Sequence, residues 1–315
     1  MPCYLAPCMQ VHDNIDRLPF FKNAVITIGT FDGVHKGHQQ IIDAVLREAE
    51  RVDGESVIIT FHPHPRKVIQ PDTSLQMINT LDERIKLLKN SGIGHLVLVS
   101  FSSAFASITA ESYIEDFLVK KFNPKTIIIG YDHRFGKGRK GNFELLNNEK
   151  DKWGYELFEI PKHVLDEIGI SSTKIRNALI QSEVEKANKL LGYDFFFEGR
   201  VIKGDQLGRK LGFPTANLIY TDPDKIHLGE GVYAVYIELN GTRKKGMLSI
   251  GKRPTLNDTQ ERIEVNIFDF TDDIYDYTLT VHVHAYLRPQ YKFDNLDSLK
   301  EQIMNDKTEA LKRLP

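Results

Sequence analysis

Apolar positions change rhythm near residue 190. Before it, compact apolar runs alternate with stretches of helical period. "AVITIGT" (24–30), "SVIITF" (56–61), "HLVLVSF" (95–101) and "TIIIG" (126–130) read as strands. "HQQIIDAVLREAERV" (38–52) places Ile41, Ile42, Val45, Leu46 and Ala49 at helical spacing. "LDERIKLLKNSG" (81–92) is a helix closed by Gly92, and "AESYIEDFLVKKF" (110–122) is another. "ISSTKIRNALI" (170–180) opens a further helix. This alternation predicts an α/β fold, a parallel sheet covered by helices on both faces.

Beyond residue 190 the strand-like segments follow one another without helices. They are "FFFEGRVI" (195–202), "GVYAVYIEL" (231–239), "KKGMLSIG" (244–251), "RIEVNIFDF" (262–270) and "LTVHVHAYL" (279–287). "LNGTR" joins two of them as a hairpin-type turn. The last strand puts Leu279, Val281, Val283, Ala285 and Leu287 on one face. An antiparallel barrel or sandwich is expected. A final helix over 297–313 carries Leu299, Ile303, Ala310 and Leu311 on one stripe. The join falls in "QSEVEKANKLLGYD" (181–194), which divides the chain into 1–186 and 187–315.

The length of 315 residues supports this two-domain division. Composition is that of a globular protein, and a net charge of −2 gives no case for a nucleic-acid-binding surface. Cys3 and Cys8 supply neither a disulfide framework nor a zinc ligand set, and a cytoplasmic location is expected. No apolar run is long enough to cross a membrane, and "MPCYLAPCMQ" lacks the basic start and apolar stretch of a signal peptide.

The candidate chemistry begins at "TIGTFDGVHKGHQQIIDAV" (27–45), where a strand gives way to a helix. A helix N-terminus offers unpaired N–H groups and partial positive charge. Gly29, Gly33 and Gly37 let backbone approach a bulky ligand, and His35 and His38 donate to phosphate oxygens. From residue types alone, a phosphate cradle and a plain turn stand level. A His-x-x-His metal pair finds no further Cys or His nearby in sequence.

"GTFDGVHKGH" resembles the G-x-F-D-G-x-H-x-G-H signature of the nucleotidyltransferase superfamily. With "FHPHP" (61–65), "RIKLL" (84–88), "GYDHRFG" (130–136) and "ISSTKIR" (170–176), the chain resembles the bacterial bifunctional riboflavin kinase/FAD synthetase family. The resemblance implies a Rossmann-like first domain with His35 and His38 as catalytic residues. It places ATP against Gly29, Phe31, Asp32, Gly37, Ser171, Ser172, Thr173 and Arg176, and the flavin against His62, Pro63, His64 and Asp132. Read without it, Ser171, Ser172 and Thr173 cap a helix, His62 and His64 stiffen a turn, Asp132 ends a strand, and "KGRKG" (137–141) is a solvated loop.

The second constellation is "GRVIKGDQLGRKLGFPTANL" (199–218). Gly204, Gly208 and Gly212 recur every four residues with Lys203, Arg209 and Lys210 between them. Such a loop folds over a polyphosphate or is an ordinary surface loop; it lacks the Gly-Lys-Ser/Thr ending of a Walker A loop. "GFPTANL" matches the P-T-A-N motif of riboflavin kinases. The resemblance implies an antiparallel barrel in which Thr215 and Asn217 hold Mg²⁺ and ATP phosphate. Alternation turns Glu264 away from Ile263, Val265 and Ile267, and the resemblance makes it the base, with Asp269 the weaker candidate. "YLRPQYKFD" (286–294) resembles the flavin side, with Arg288 as a contact. His282 and His284 share a strand face as solvent-facing residues or mimics of metal ligands. The implied activity makes FMN from riboflavin and ATP, then FAD from FMN and ATP, with Mg²⁺ entering with ATP. Partners are these small molecules, without nucleic acid or membrane.

Overall fold

The computed structural model describes residues 9–72, 74–161, 170–204, 208, 212–252 and 261–315. They divide into two compact units. The first comprises residues up to 75 and 79–171; the second comprises 76–78 and 172 onward.

The first unit is a six-stranded sheet in the order β1-β4-β3-β2-β5-β6. Its strands are β1 (Gln10–His12), β2 (Val25–Ile28), β3 (Ser56–His62), β4 (His95–Ser100), β5 (Thr126–Gly130) and β6 (Glu156–Ile160). Every neighbouring pair is parallel. Alternate side chains enter two cores. Val25, Ile58, Leu96 and Ile128 pack with Ile42, Val45 and Ala49 of helix α1 (Lys36–Arg51). Ile26, Ile59, Val97 and Ile127 pack on the other face with Ile114, Phe117 and Leu118. The period-2 strand pattern thus meets a helical stripe on each side, as the sequence predicts. The strand order reverses at β2 and β5, which makes their carboxyl ends a ligand crevice in open sheets of this kind.

Helix 110–122 is not uniform. Ala110–Ser112 runs into a π-helical segment, Tyr113–Val119, before Lys120–Phe122 completes it. Several elements of this unit lie outside the sequence expectation, among them strands β1 and β6, the short helices Pro65–Ile69 and Ser103–Ala106, and the helix Phe143–Trp153. Edge strand β6 is mostly exposed, and Phe143–Trp153 is a helix capped by Asn142.

The second unit holds a closed barrel, β10-β11-β8-β7-β12-β9. Its strands are β7 (Phe195–Ile202), β8 (Ala216–Tyr220), β9 (Gly231–Leu239), β10 (Thr242–Lys252), β11 (Glu261–Ile267) and β12 (Thr278–Arg288). Closure leaves the sheet no free edge. Helices Ser172–Ile180 and Val184–Leu191 group with this unit. Asn188 explains the attachment of the second. Its Oδ1 accepts from Phe195 N at 2.8 Å, and its Nδ2 donates to Val283 O at 2.9 Å.

Two apolar assignments change. Register shifts in β12 between Val283 and Ala285 interrupt its alternation. Ala285 therefore pairs with Ala234 and joins the cluster beneath the final helix, with Met247, Ala310 and Leu314. In that helix, Leu296–Arg313, Leu311 is exposed, while Asp306 is buried on the inner stripe. The stripe tolerates a carboxylate because Arg288 donates to Asp306 from Nε at 2.8 Å and from Nη2 at 2.7 Å.

Candidate active sites

The first site forms where three parallel strands end. The loops after β2, β3 and β5 carry "GTFDGVHKGH", "FHPHP" and "GYDHRFG". The loop after β2 is tightly wound: Phe31, Gly33 and Val34 have φ of 50°, 90° and 32°. Gly29 lies under the Phe31 ring, whose nearest atom would be 3.0 Å from an added Cβ.

His35 ends this loop and caps α1, its Nδ1 accepting from His38 N at 3.3 Å. That acceptance leaves the proton of a neutral His35 ring on Nε2. The two imidazoles stack 3.7 Å apart, 11° from parallel, and Phe31 lies 5.0 Å from His38. Burial, then His35 and Arg84, hold the His38 imidazole well below its ordinary pKa of 6.5. Its Nδ1 is buried with no hydrogen-bond partner among the described residues. Whether that nitrogen donates or accepts depends on the tautomer of the ring.

Asp32 and Gly37 belong to the framework of this site. Asp32 is buried and accepts from Asn79 N at 3.2 Å. Gly37 is buried in the first turn of α1. Arg84 braces the turn: Nη1 donates to Thr30 O at 2.5 Å and Nη2 to Phe61 O at 3.4 Å. Its residue type and burial tie the ends of β2 and β3 together, a role the "RIKLL" stretch flags without specifying.

The neighbouring loops are mixed. His64 caps the helix Pro65–Ile69 by accepting from Arg66 N at 3.1 Å, while His62 is exposed. Asp132 is exposed in the turn after β5. Phe135 anchors that loop beneath, stacked 4.8 Å from Tyr113 in the π-helical segment. The adjacent His133 is pushed down to about 4 by burial and by Arg139 and Arg134. Ser171 directly precedes the helix Ser172–Ile180; Ser172 and Thr173 begin it, and Arg176 donates from Nε to Gln76 O at 2.9 Å.

The second site lies on the barrel. Glu264 pairs across β11 with Asn217 of β8 on one side and Ser249 of β10 on the other. Directly opposed residues share a face, so Asn217, Glu264 and Ser249 form one polar row. Ile263 and Val265 occupy the opposite, buried face. Thr215 Oγ1 lies 3.3 Å from Glu264 Oε2, donating to the carboxylate. An added Cβ at Gly204 would meet Asn217 Nδ2 at 2.0 Å, and one at Gly208 would meet Thr215 Oγ1 at 3.0 Å. At Gly208 a Cβ would also stand 2.4 Å from the backbone Phe213 O, which requires glycine there, and at Gly204 it would displace the Asn217 side chain; both links join the glycine-rich segment to "PTAN". Gly212 has φ of 85°, where glycine is favoured. Lys210 lies outside the described residues.

The remaining candidates separate. Arg288 is held by Asp306, and Asp269 sits exposed after β11, 3.5 Å from Lys307. His282 contacts Glu238 at 3.5 Å, and His284 contacts Asp194 at 3.0 Å. No cluster of three or more His, Cys, Asp or Glu side chains among the described residues is arranged to hold a metal ion. The oxygen set of Thr215, Asn217 and Glu264 suits a hard cation shared with phosphates. Strand β8 and Ser249 escape motif reading, because their place beside Glu264 is set by strand register.

The FAD synthetase family profile matches residues 19–174, and the riboflavin kinase profile matches residues 191–314. The bifunctional riboflavin kinase/FMN adenylyltransferase of Escherichia coli K12 is 34% identical over 94% of this chain and 94% of its own. The Bacillus subtilis protein of the same description is 36% identical over 92% of each chain. A crystal structure from Streptococcus pneumoniae, described as a macrolide-efflux protein, superposes with a TM-score of 0.86 at 36% identity. It covers 96% of this chain and 98% of that one. No helix among the described residues is long and apolar enough to cross a membrane.

Proposed function

The chain belongs to the bifunctional riboflavin kinase/FMN adenylyltransferase family, and we propose how its residues divide the two reactions. The enzyme phosphorylates riboflavin with ATP to FMN, then adenylylates FMN with ATP to FAD and pyrophosphate. We assign adenylyl transfer to residues 1–186 and phosphorylation to residues 187–315; the spans of the two matched profiles support this.

In adenylyl transfer, the FMN phosphate attacks the α-phosphorus of ATP. A phosphate monoester loses its second proton near pH 6, so the nucleophile is already an anion and needs no base. Charge stabilisation and alignment remain. His38, with its unpartnered buried nitrogen, donates to the α-phosphate region; this observation carries the assignment. His35 stacks on it, caps α1 and directs the helix N-terminus at the phosphates. Gly29, Phe31, Asp32 and Gly37 shape that cradle. Ser171, Ser172, Thr173 and Arg176 supply further phosphate donors. His62, Pro63, His64 and Asp132 border the flavin.

In phosphorylation, the acceptor is a neutral ribityl hydroxyl, so a base assists. Glu264 takes its proton, held in orientation by Thr215. Thr215 and Asn217 would hold Mg²⁺ and ATP phosphate, with Gly204, Gly208, Lys210 and Gly212 assigned to ATP binding. When bound there, Mg²⁺ would supply charge neutralisation to the transferring phosphoryl group. Arg288 stands on the flavin side, with its charge balanced by Asp306. The partners are small molecules and the location is cytoplasmic, readings supported by the −2 net charge and sparse cysteines.

The test is a time course with riboflavin, ATP and Mg²⁺ that resolves FMN from FAD. FMN appearing first and then converting to FAD is expected. FAD formed only from added FMN would remove the kinase assignment.

A further inference from the structure

Glu264 has a second polar flank that the "PTAN" motif does not supply. On β10, Ser249 is its direct cross-strand partner, half-buried and on the same face. Ser249 is itself held. Its Oγ accepts a hydrogen bond of 2.8 Å from Gln290 Nε2. The same amide lies 3.1 Å from Ile250 O and 3.3 Å from Gly231 O, so Gln290 clips the start of β9 to the end of β10. Gly251 makes room for it: a Cβ there would stand 2.9 Å from Gln290 Cγ. A hydroxyl that accepts one bond retains its own hydrogen to donate. On the same strand face, the residue directly opposite Ser249 is Glu264.

We propose that Ser249, oriented by Gln290, is a positioning residue for Glu264 in riboflavin phosphorylation. The proposal rests on the reading of Glu264 as base. Thr215 donates to the carboxylate from the β8 side, and Ser249, its direct cross-strand neighbour on β10, is placed to donate to it from the other side when the substrate is bound. Two opposed donors leave the base one approach to the acceptor hydroxyl, whereas a single donor lets the carboxylate rotate. Orientation of the base affects turnover more than capture of riboflavin, because the aligned carboxylate matters most as the proton moves.

The test uses the full-length enzyme and initial rates of FMN formation, with adenylylation of added FMN and the unfolding midpoint as controls of folding. Ser249→Ala should lower the kinase kcat by about tenfold, the scale of one orienting hydrogen bond, with little change in KM for riboflavin. Ser249→Thr keeps the hydroxyl and should recover most of that rate. Gln290→Leu should also lower kcat, and the double variant should be little worse than Ser249→Ala, since both act through one hydroxyl. Ser249→Ala at the parent kcat, a loss confined to KM, or fully additive losses would overturn the proposal. If Ser249→Ala does not fold, the Gln290→Leu kcat and KM decide alone on the same criteria. A parent rate in Glu264→Gln would instead remove the base assignment, and this inference with it. A crippled Glu264→Gln beside a normal Ser249→Ala would remove only this inference.

Discussion

Gly204→Ala perturbs the kinase site with a single methyl group. The added Cβ would lie 2.0 Å from Asn217 Nδ2 and 2.4 Å from its Cγ. An ordinary contact needs roughly 3.5 Å, so Asn217 or the loop must retreat by about 1.5 Å. The Asn217 backbone is held by pairing with β7 at Ile202 and with β11 at Glu264, so its side chain must rotate out of the row it shares with Glu264. A misplacement of about 1 Å at a reacting centre costs on the order of 10²-fold in rate, and Gly204→Ala should lower FMN formation by about that factor. Adenylylation of added FMN should persist. Gly241→Ala is the control: its Cβ meets nothing within 4 Å, although φ is 74°. It should cost about 1 kcal/mol of stability and leave the kinase rate unchanged. Rates of FMN formation from riboflavin and of FAD formation from FMN are compared in both variants. A kinase rate in Gly204→Ala near the parent value, in a folded protein, would refute the close approach of this loop to Asn217.

His12 Nε2 lies 3.1 Å from His95 Nδ1, and His95 lies 3.5 Å from Glu55. Burial and His95 lower the His12 pKa from 6.5, against the pull of Asp13. The folded ring therefore binds a proton less readily than the unfolded one, and its contribution is present above about pH 6.5 and lost as pH falls through the folded value. The unfolding midpoint should drop more steeply on acidification in the parent than in His12→Gln; parallel slopes would contradict this. Asp306→Asn leaves the Arg288 guanidinium without its counter-charge and should cost about 3–5 kcal/mol in denaturant unfolding. A loss near zero would mean that water already screens the pair. Thr215→Ala should raise the Mg²⁺·ATP requirement of FMN synthesis alone, whereas equal damage to both activities would point to folding.

Strands buried by packing were legible as apolar runs: β5 and β7 span the residues that their sequences predict, and β2, β3 and β4 differ only at their ends. Strand β8 was hidden, because "ANLIY" is short, half-exposed and continuous with "PTAN". Its neighbour in the barrel comes from a strand more than forty residues away, and only register brings Asn217 beside Glu264. The bulges of β12 obey no local pattern, so Ala285 read as a partner of Val283 although the backbone turns it to the other face. Leu311 read as core for the converse reason: apolar identity and helical spacing favoured it, while a buried ion pair placed Asp306 on the stripe. At the first site, residue types gave His35 and His38 a plausible role, but the orphaned nitrogen of His38 depends on packing against Phe31 and His35.

The central claim is that two sites in one chain meet opposite chemical demands, one needing a base and the other only charge stabilisation. The most direct measurement compares initial rates from riboflavin and from FMN in the parent, His38→Ala and Glu264→Gln. His38→Ala should lower FAD formation by roughly 10²–10³, the scale of a lost charge-stabilising donor, with FMN formation intact. Glu264→Gln should lower FMN formation by roughly 10²–10⁴, the range of a positioned base, with FAD formation from FMN intact. Loss of both activities in either folded variant, or of neither in both, would contradict the account.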